Sequence, residues 1–263
     1  GRSIMSTTTT TTLIKNVILD IEGTTTPISF VHDVLFPYIR SHLRQHLEQH
    51  WSDAQLQDDI ATLRCDVDNV PSSIPPVAQV GSSDEQIIDS VVRNVTAQMD
   101  IDRKSTALKQ LQGHMWSTAY ESGQIKGVVF EDVPLAFARW QKTSTNVYIY
   151  SSGSVAAQKL LFGYSVAGNL LTMLHGHYDT NIGSKLESES YRKILQSINS
   201  GNAADNLFIT DSQREALAAT DAGLYVLLSV RPGNPSLDPQ YKTENIPQIT
   251  SFDQAFDKYT FIN

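Results

Sequence analysis

The feature that most constrains this chain is the run Val17-Ile18-Leu19, led in by Lys15 and Asn16 and cut off by Asp20, with Glu22 two places further on. A run this short cannot be a helix; it reads as a strand buried on both faces, as in a parallel sheet. Asp20 then stands at the carboxyl end of the strand, where open α/β sheets place their ligands. Gly23 permits a sharp reversal, and Thr24, Thr25 and Thr26 put hydroxyls beside the acids. A carboxylate held there can be a nucleophile or a Mg²⁺ ligand; the plainer reading is an aspartate capping a turn.

Two later stretches repeat the pattern. Val147-Tyr148-Ile149-Tyr150 ends at Ser151-Ser152-Gly153-Ser154, and Asn206-Leu207-Phe208-Ile209-Thr210 ends at Asp211. A helical pattern follows each, through Val155 to Phe162 and Gln213 to Thr220, and Leu224 to Val230 reads as a last strand. Such alternation predicts an α/β fold with a doubly wound parallel sheet. In one parallel sheet Asp20, Ser151 and Asp211 share an edge. Converging acids call for a cation, and oxygen donors without a Cys or His cluster favour Mg²⁺ over Zn²⁺. Lys185, in the segment GSKLESESY ahead of a helix carrying Tyr191, Ile194, Leu195 and Ile198, is either a solvated surface lysine or, aimed at Asp20, a counter-charge for carboxylate and phosphate.

The intervening chain has a different texture. Val31, Val34, Leu35, Tyr38, Ile39, Leu43 and Leu47 recur at helical spacing, with Pro37 starting or kinking the helix. Residues 66–83, with Pro71, Pro75 and Pro76, read as an irregular connection. Ser83 and Gln86 form a capping box for a helix through Met99, and a further helix runs through Leu108, Leu111, Met115, Trp116 and Ala119 to about Gly123. Pro134 opens another. The expected division is an α/β core from 13–26 and 126–263, a mostly helical cap inserted at 27–125, and a tag scar with a loose, threonine-rich tail at 1–12.

Composition limits the partners. A net charge of -8 argues against nucleic acid and anionic membranes, which need a basic footprint, but not against a phosphorylated substrate met by a local lysine and a metal. Cys65 is the only cysteine, so no internal disulfide forms and a reducing compartment fits. No apolar stretch approaches the ~18 residues of a membrane span. The expected state is a monomer in the cytoplasm, with the nucleus as a second location. His175 and His177 share one strand face without further Cys or His ligands, so a structural role is favoured over a metal site. Met115 and Trp116 read as packing of the helical cap, with contact to a substrate left open.

DIEGTTTPISFV, beginning at Asp20, resembles the first motif of the enolase-phosphatase branch of the haloacid dehalogenase (HAD) superfamily, in which Glu22 replaces the more usual second Asp. SSGS is similar to the second HAD motif, GSKLESESY to the wording around the family's lysine, and Leu207 to Asp211 to the fourth motif, with Thr210 where Ser is expected. The resemblance implies a HAD-like core with an inserted helical cap and one Mg²⁺ per chain. It implies that Asp20 is nucleophile and metal ligand, Asp211 a metal ligand, and Glu22 a contributor to the metal site or to proton transfer. Ser151 and Ser152 would bind phosphate or substrate oxygens, with Lys185 as their cationic partner. The activity implied is enolisation and dephosphorylation of a small diketone, 5-methylthio-2,3-dioxopentyl phosphate, to an acireductone in methionine salvage. The alternative is a HAD phosphatase or phosphomutase acting on a sugar phosphate. A non-catalytic protein of the same fold sits poorly with Asp20, Asp211 and Lys185 all present. A Rossmann dehydrogenase lacks its Gly-x-Gly-x-x-Gly after a strand.

Overall fold

The structure, a computed structural model, describes residues 12–261; of the tail expected at 1–12, residues 1–11 lie outside that range. The strands are β1 (Leu13–Ile14), β2 (Asn16–Leu19), β3 (Asn146–Tyr150), β4 (Gly176–Tyr178), β5 (Asn206–Thr210), β6 (Tyr225–Ser229), β7 (Gln248–Ile249) and β8 (Thr260–Phe261). Six of them form one sheet in the order β4-β3-β2-β5-β6-β7, every neighbouring pair parallel. The opening run is thus the central β2, and all four of its residues are buried. β1 and β8 pair separately, also in parallel.

The helices are α1 (Ile28–Phe30), α2 (Phe36–Gln49), α3 (Ala54–Cys65), α4 (Asp84–Asp100), α5 (Thr106–Glu121), α6 (Asp132–Lys142), α7 (Val155–Gly163), α8 (Ser188–Ser197), α9 (Gln213–Asp221) and α10 (Ala255–Lys258). Side chains alternate across a strand, so β2 sends Ile18 to one face and Val17 and Leu19 to the other. Ile18 packs in a cluster with Tyr191, Ile194, Ala216 and Ala219 of α8 and α9. Val17 and Leu19 belong to a second cluster with Phe137 and Trp140 of α6 and Leu161 and Phe162 of α7. Helices on both faces make the sheet doubly wound, as the sequence predicts.

Between β2 and α6 the described chain is helical or irregular. The helical run from Val31 to Leu47 is present, and the boundary that Pro37 left open falls just before it: Val31–Leu35 form a π-turn and α2 starts at Phe36. Pro37 is the cause, since it has no N–H to give to an i−4 carbonyl, and the ladder reopens with the Phe36 N–H donating to Val31 O. The Ser83–Gln86 capping box is present. α3 and β7 were not expected, and of β4 only the strand spacing of His175 and His177 was read. α3 carries a weak apolar stripe, and the two strands are only three and two residues long on the outer parts of the sheet. α6 opens at Asp132, two residues before the expected Pro134, because Asp132 is held by Arg231.

Strand register is set at the amino ends. Asn16 lies opposite both Asn146 and Asn206. The Asn16 amide donates to Asn206 Oδ1 at 3.0 Å, and the Asn146 amide donates to Asn16 Oδ1 at 3.1 Å. At the other end, Arg231 ties three segments together. It forms a bidentate pair with Asp132 at 2.6 and 2.9 Å and donates to Thr24 O at 3.0 Å and Thr250 O at 3.2 Å. Its guanidinium is capped by Phe130 and Phe252. Replacing Arg231 by Met leaves the carboxylate of Asp132 without its cation, so denaturant unfolding is expected to show a loss on the order of 3 kcal/mol. A change within a few tenths would mean that this pair ties nothing together.

Candidate active site

Asp20 follows β2 directly and is 4% exposed. Its Oδ1 accepts from the Ile21 N–H at 2.8 Å and from Lys185 Nζ at 2.7 Å, while the Thr210 hydroxyl lies 3.1 Å from Oδ2. Lys185 arrives from the loop before α8. Two buried tyrosines pin that loop: Tyr150 donates to Gly183 O at 2.7 Å and Tyr191 to Lys185 O at 2.6 Å. Gly183 has φ +144, and a Cβ there would collide with Ser190. The lysine is therefore aimed from the sheet edge rather than solvated, and its ammonium also meets Glu215 at 2.7 Å.

Glu215 was not among the residues predicted. Ser212 with Glu215 reads as an ordinary capping box opening α9, and the Ser212 hydroxyl does accept from the Glu215 N–H at 3.3 Å. The reciprocal half is missing, because the Ser212 N–H donates to the Thr210 hydroxyl at 3.1 Å. That frees the Glu215 carboxylate for Lys185. The signal is present in the sequence but ambiguous without the fold.

Three carboxyls, Asp20, Asp211 and Glu215, thus share one ammonium, which Asp20 and Glu215 contact directly at 2.7 Å. Burial alone would lower Lys185, but the charges of Asp20 and Glu215 outweigh it and hold the lysine above its ordinary value. Burial, then the charge of Asp20, pushes Asp211 up to about 9. Burial and Asp20 also raise Glu215, against the pull of Lys185. The cluster is short of positive charge. Gly23, at φ +75, leaves room for it, since a Cβ there would strike the Asp211 carboxylate.

Ser151 and Ser152 lie in the loop between β3 and α7. The Ser151 hydroxyl accepts from the Gly153 N–H at 3.3 Å, and Ser154 caps α7 by accepting from the Ala157 N–H at 3.1 Å. Lys109 of α5, also missed, donates to Ser152 O at 2.9 Å. A cavity of about 730 Å³ opens above this edge, and Asp20, Glu22, Ser151, Ser152, Lys185 and Asp211 all line it. Glu22 stands apart from the buried cluster: its side chain is 41% exposed, and its carboxylate meets His32 Nε2 at 2.7 Å. His175 accepts from the Val147 N–H at 3.1 Å and His177 sits beside Gln158, and no group of three His, Cys, Asp or Glu suited to a metal is found among the described residues. Trp116 packs in the core and also lines the cavity, so both alternatives left open for it are compatible with its place.

Comparison with known proteins gives the same lineage. No family model matches the chain. An enolase-phosphatase E1 of Dictyostelium discoideum is 51% identical over 264 residues, covering 95% of this chain and 98% of the relative. The solved UTR4 protein of Saccharomyces cerevisiae is 33% identical, with TM-score 0.74 over 91% of this chain and 99% of its own. A HAD-hydrolase of Bacillus subtilis, YfnB, whose structure is described as bound to magnesium, shares the fold at 12% identity, with TM-score 0.53 over 93% of this chain and 97% of its own. With a parallel sheet that gathers Asp20, Lys185 and Asp211 at one edge and half of its residues identical to such a relative, the chain belongs to the enolase-phosphatase family of HAD hydrolases.

Proposed function

We propose that this enzyme converts 5-methylthio-2,3-dioxopentyl phosphate to the acireductone 1,2-dihydroxy-5-(methylthio)pent-1-en-3-one and inorganic phosphate, with Asp20 as the nucleophile. The observation that carries this reading is the buried Asp20–Lys185 pair, 2.7 Å apart, at the carboxyl edge of the central strand and open to the cavity. The acid-rich cluster of Asp20 and Asp211 fits a hard divalent cation, as all its donors are oxygens and its charge is in deficit. Asp20 and Asp211 would hold Mg²⁺, which would supply positive charge to the carboxylates and the phosphate when bound; the Glu22 carboxylate, expected as a further ligand, is turned to His32 instead. Residues 27–125 serve in this reading as the cap over the sheet edge.

The chain's own groups account for the remaining chemistry. Lys185, kept protonated by Asp20 and Glu215, neutralises a phosphoryl oxygen, and Ser151 with the backbone of its loop donates to the others. Asp20 is orientated by three donors and attacks phosphorus in line. The new bond forms to its carboxylate as the ester P–O bond breaks, and water then hydrolyses the aspartyl phosphate. Enolisation first makes the departing oxygen part of a conjugated enolate, a far better leaving group than a simple alkoxide. Glu22, at the cavity edge, is the base for that step, and His32 holds its carboxylate in place.

Asp20→Asn should lower phosphate release on the order of 10⁴-fold with the fold intact, since a neutral amide is a poor nucleophile. A folded variant with near-normal release would refute the assignment. Glu22→Gln should slow solvent deuterium incorporation at carbon 1 of the diketone while an activated aryl phosphate still gives a single-turnover burst. Unchanged incorporation removes Glu22 as the base.

The raised Asp211 has a sign that can be measured. Its folded pKa of about 9 exceeds its ordinary 3.8, so between those values the native state keeps a proton that the unfolded state gives up. Stability from this group is complete below the unfolded value and is lost as pH rises toward the folded one. In chelator, the Tm of the wild type should therefore fall relative to Asp211→Asn from pH ~5 to about 9, and Mg²⁺ should narrow the gap. Parallel Tm curves would contradict a charge-deficient cluster.

A further inference from the structure

Three glutamines are buried among the described residues, and they are not alike. Gln98 donates to Asn94 Oδ1 at 2.7 Å and accepts from Arg103 and Ser105. Gln158 donates to Gly153 O and Tyr178 O, and its oxygen meets His177 Nδ1 at 3.3 Å. Gln112 of α5 is 5% exposed and lines the cavity, yet its amide has no hydrogen-bond partner among the described residues. Nor is that amide sealed in: the partnerless side-chain atoms without accessible surface include the Tyr120 hydroxyl and the Trp140 indole but neither atom of Gln112. Both ends of the amide therefore open to the cavity. A buried amide unpaired at both ends costs stability, and leucine or methionine would pack there at less cost, so the amide has a ligand to meet.

Its place on α5 says which part of a ligand that is. Gln112 follows Lys109 by three residues on one face of the helix, about 4.5 Å further along the axis. Lys109 fixes the start of that face against the serine loop, since its ammonium donates to Ser152 O at 2.9 Å. Gln112 thus stands one short step from the phosphate end of the cavity. The phosphate already has Lys185 and Ser151, and an apolar tail has no use for an amide. Between phosphate and tail the substrate carries two ketones. A ketone oxygen needs a donor, and the enol hydroxyl that it becomes needs an acceptor. An amide offers one of each.

We propose that Gln112 donates its amide N–H to the ketone oxygen at carbon 2 of the substrate and stabilises the charge that gathers there during enolisation. This rests on the substrate reading above. The C–H bond at carbon 1 breaks and its proton passes to the Glu22 carboxylate. The electron pair left behind forms the C1=C2 double bond, and the carbonyl π pair moves onto oxygen. The hydrogen bond from Gln112 strengthens as that oxygen becomes anionic, so it favours the transition state over the bound diketone. Once the oxygen is protonated, its hydroxyl can donate to Gln112 Oε1. Gln112 is in this sense a catalytic residue of the first step, with no part in the bond changes at phosphorus.

The test uses Gln112→Met, which keeps the length of the side chain and removes both polar ends, and Gln112→Glu, which exchanges the donor for an anion. Turnover of the diketone phosphate is measured against turnover of an aryl phosphate, which needs no enolisation, and Tm reports the fold. In Gln112→Met the ratio of the two should fall on the order of 10²-fold, the loss typical of one oxyanion donor, and should fall on kcat more than on KM. Gln112→Glu should be impaired at least as far. A primary isotope effect on the diketone reaction, read with substrate deuterated at carbon 1, should grow in both variants as C–H cleavage becomes rate-limiting. A folded Gln112→Met enzyme whose ratio and isotope effect match the wild type overturns the assignment, as does equal loss on both substrates. Wild-type enzyme that turns over the aryl phosphate but not the diketone removes the substrate reading itself, and this inference with it.

Discussion

The contact between Asp20 and Lys185 organises the rest of this molecule. Two opposite charges, both less than a tenth exposed, are held 2.7 Å apart, and neither is cheap to bury. Each is supported by structure whose purpose is otherwise obscure. β2 and β5 fix Asp20 and Thr210, two tyrosines pin the lysine loop, and a half-made capping box releases Glu215 to the other side of the ammonium. A pair in this setting contributes little to net stability. The burial of two apolar faces of the sheet carries the fold, and the edge where those faces end is where charge can be concentrated.

Much of this could be read from the residues alone. β2, β3 and β5 announce themselves because strands buried on both faces leave unbroken apolar runs, and the residues after them then had to meet at one edge. Asp20, Ser151 and Asp211 were therefore legible, whereas Lys185 reads as a surface lysine unless the resemblance places it. Glu215 was not, since a Ser-x-x-Glu opening has a complete local explanation and only the competing Thr210 hydroxyl cancels it. Lys109 was hidden for another reason. A helix built into a core between other helices shows little contrast between its faces, and which stripe borders a cavity depends on how α5 lies against α7. The break before α2 was half legible: Pro37 signals trouble in the ladder, but a π-turn and a kink are alternative answers to the same missing N–H.

The floor and the walls of the cavity come from different parts of the chain. The floor is a sheet edge, and a fold shared at 12% sequence identity shows how little of the sequence is needed to build one. The walls are helical, and α5 reaches the floor through the hydrogen bond of Lys109 to Ser152 O. The lining that α5 contributes can thus change without disturbing the charges below.

The three asparagines at the opposite end of the sheet have a consequence for how the chain is made. Asn16 is synthesised long before its partners, which lie 130 and 190 residues later. β2 must wait, exposed, while most of the polypeptide emerges, and its neighbours must then find it in one alignment out of several. A slip by one residue would exchange the two faces of the strand and carry Asp20 out of line with Ser151 and Asp211. Interlocking amides accept few such errors, because a misplaced partner strands buried donors and acceptors. Side chains at the far end of the sheet from Asp20 thereby act as a proofreading step in the assembly of that edge.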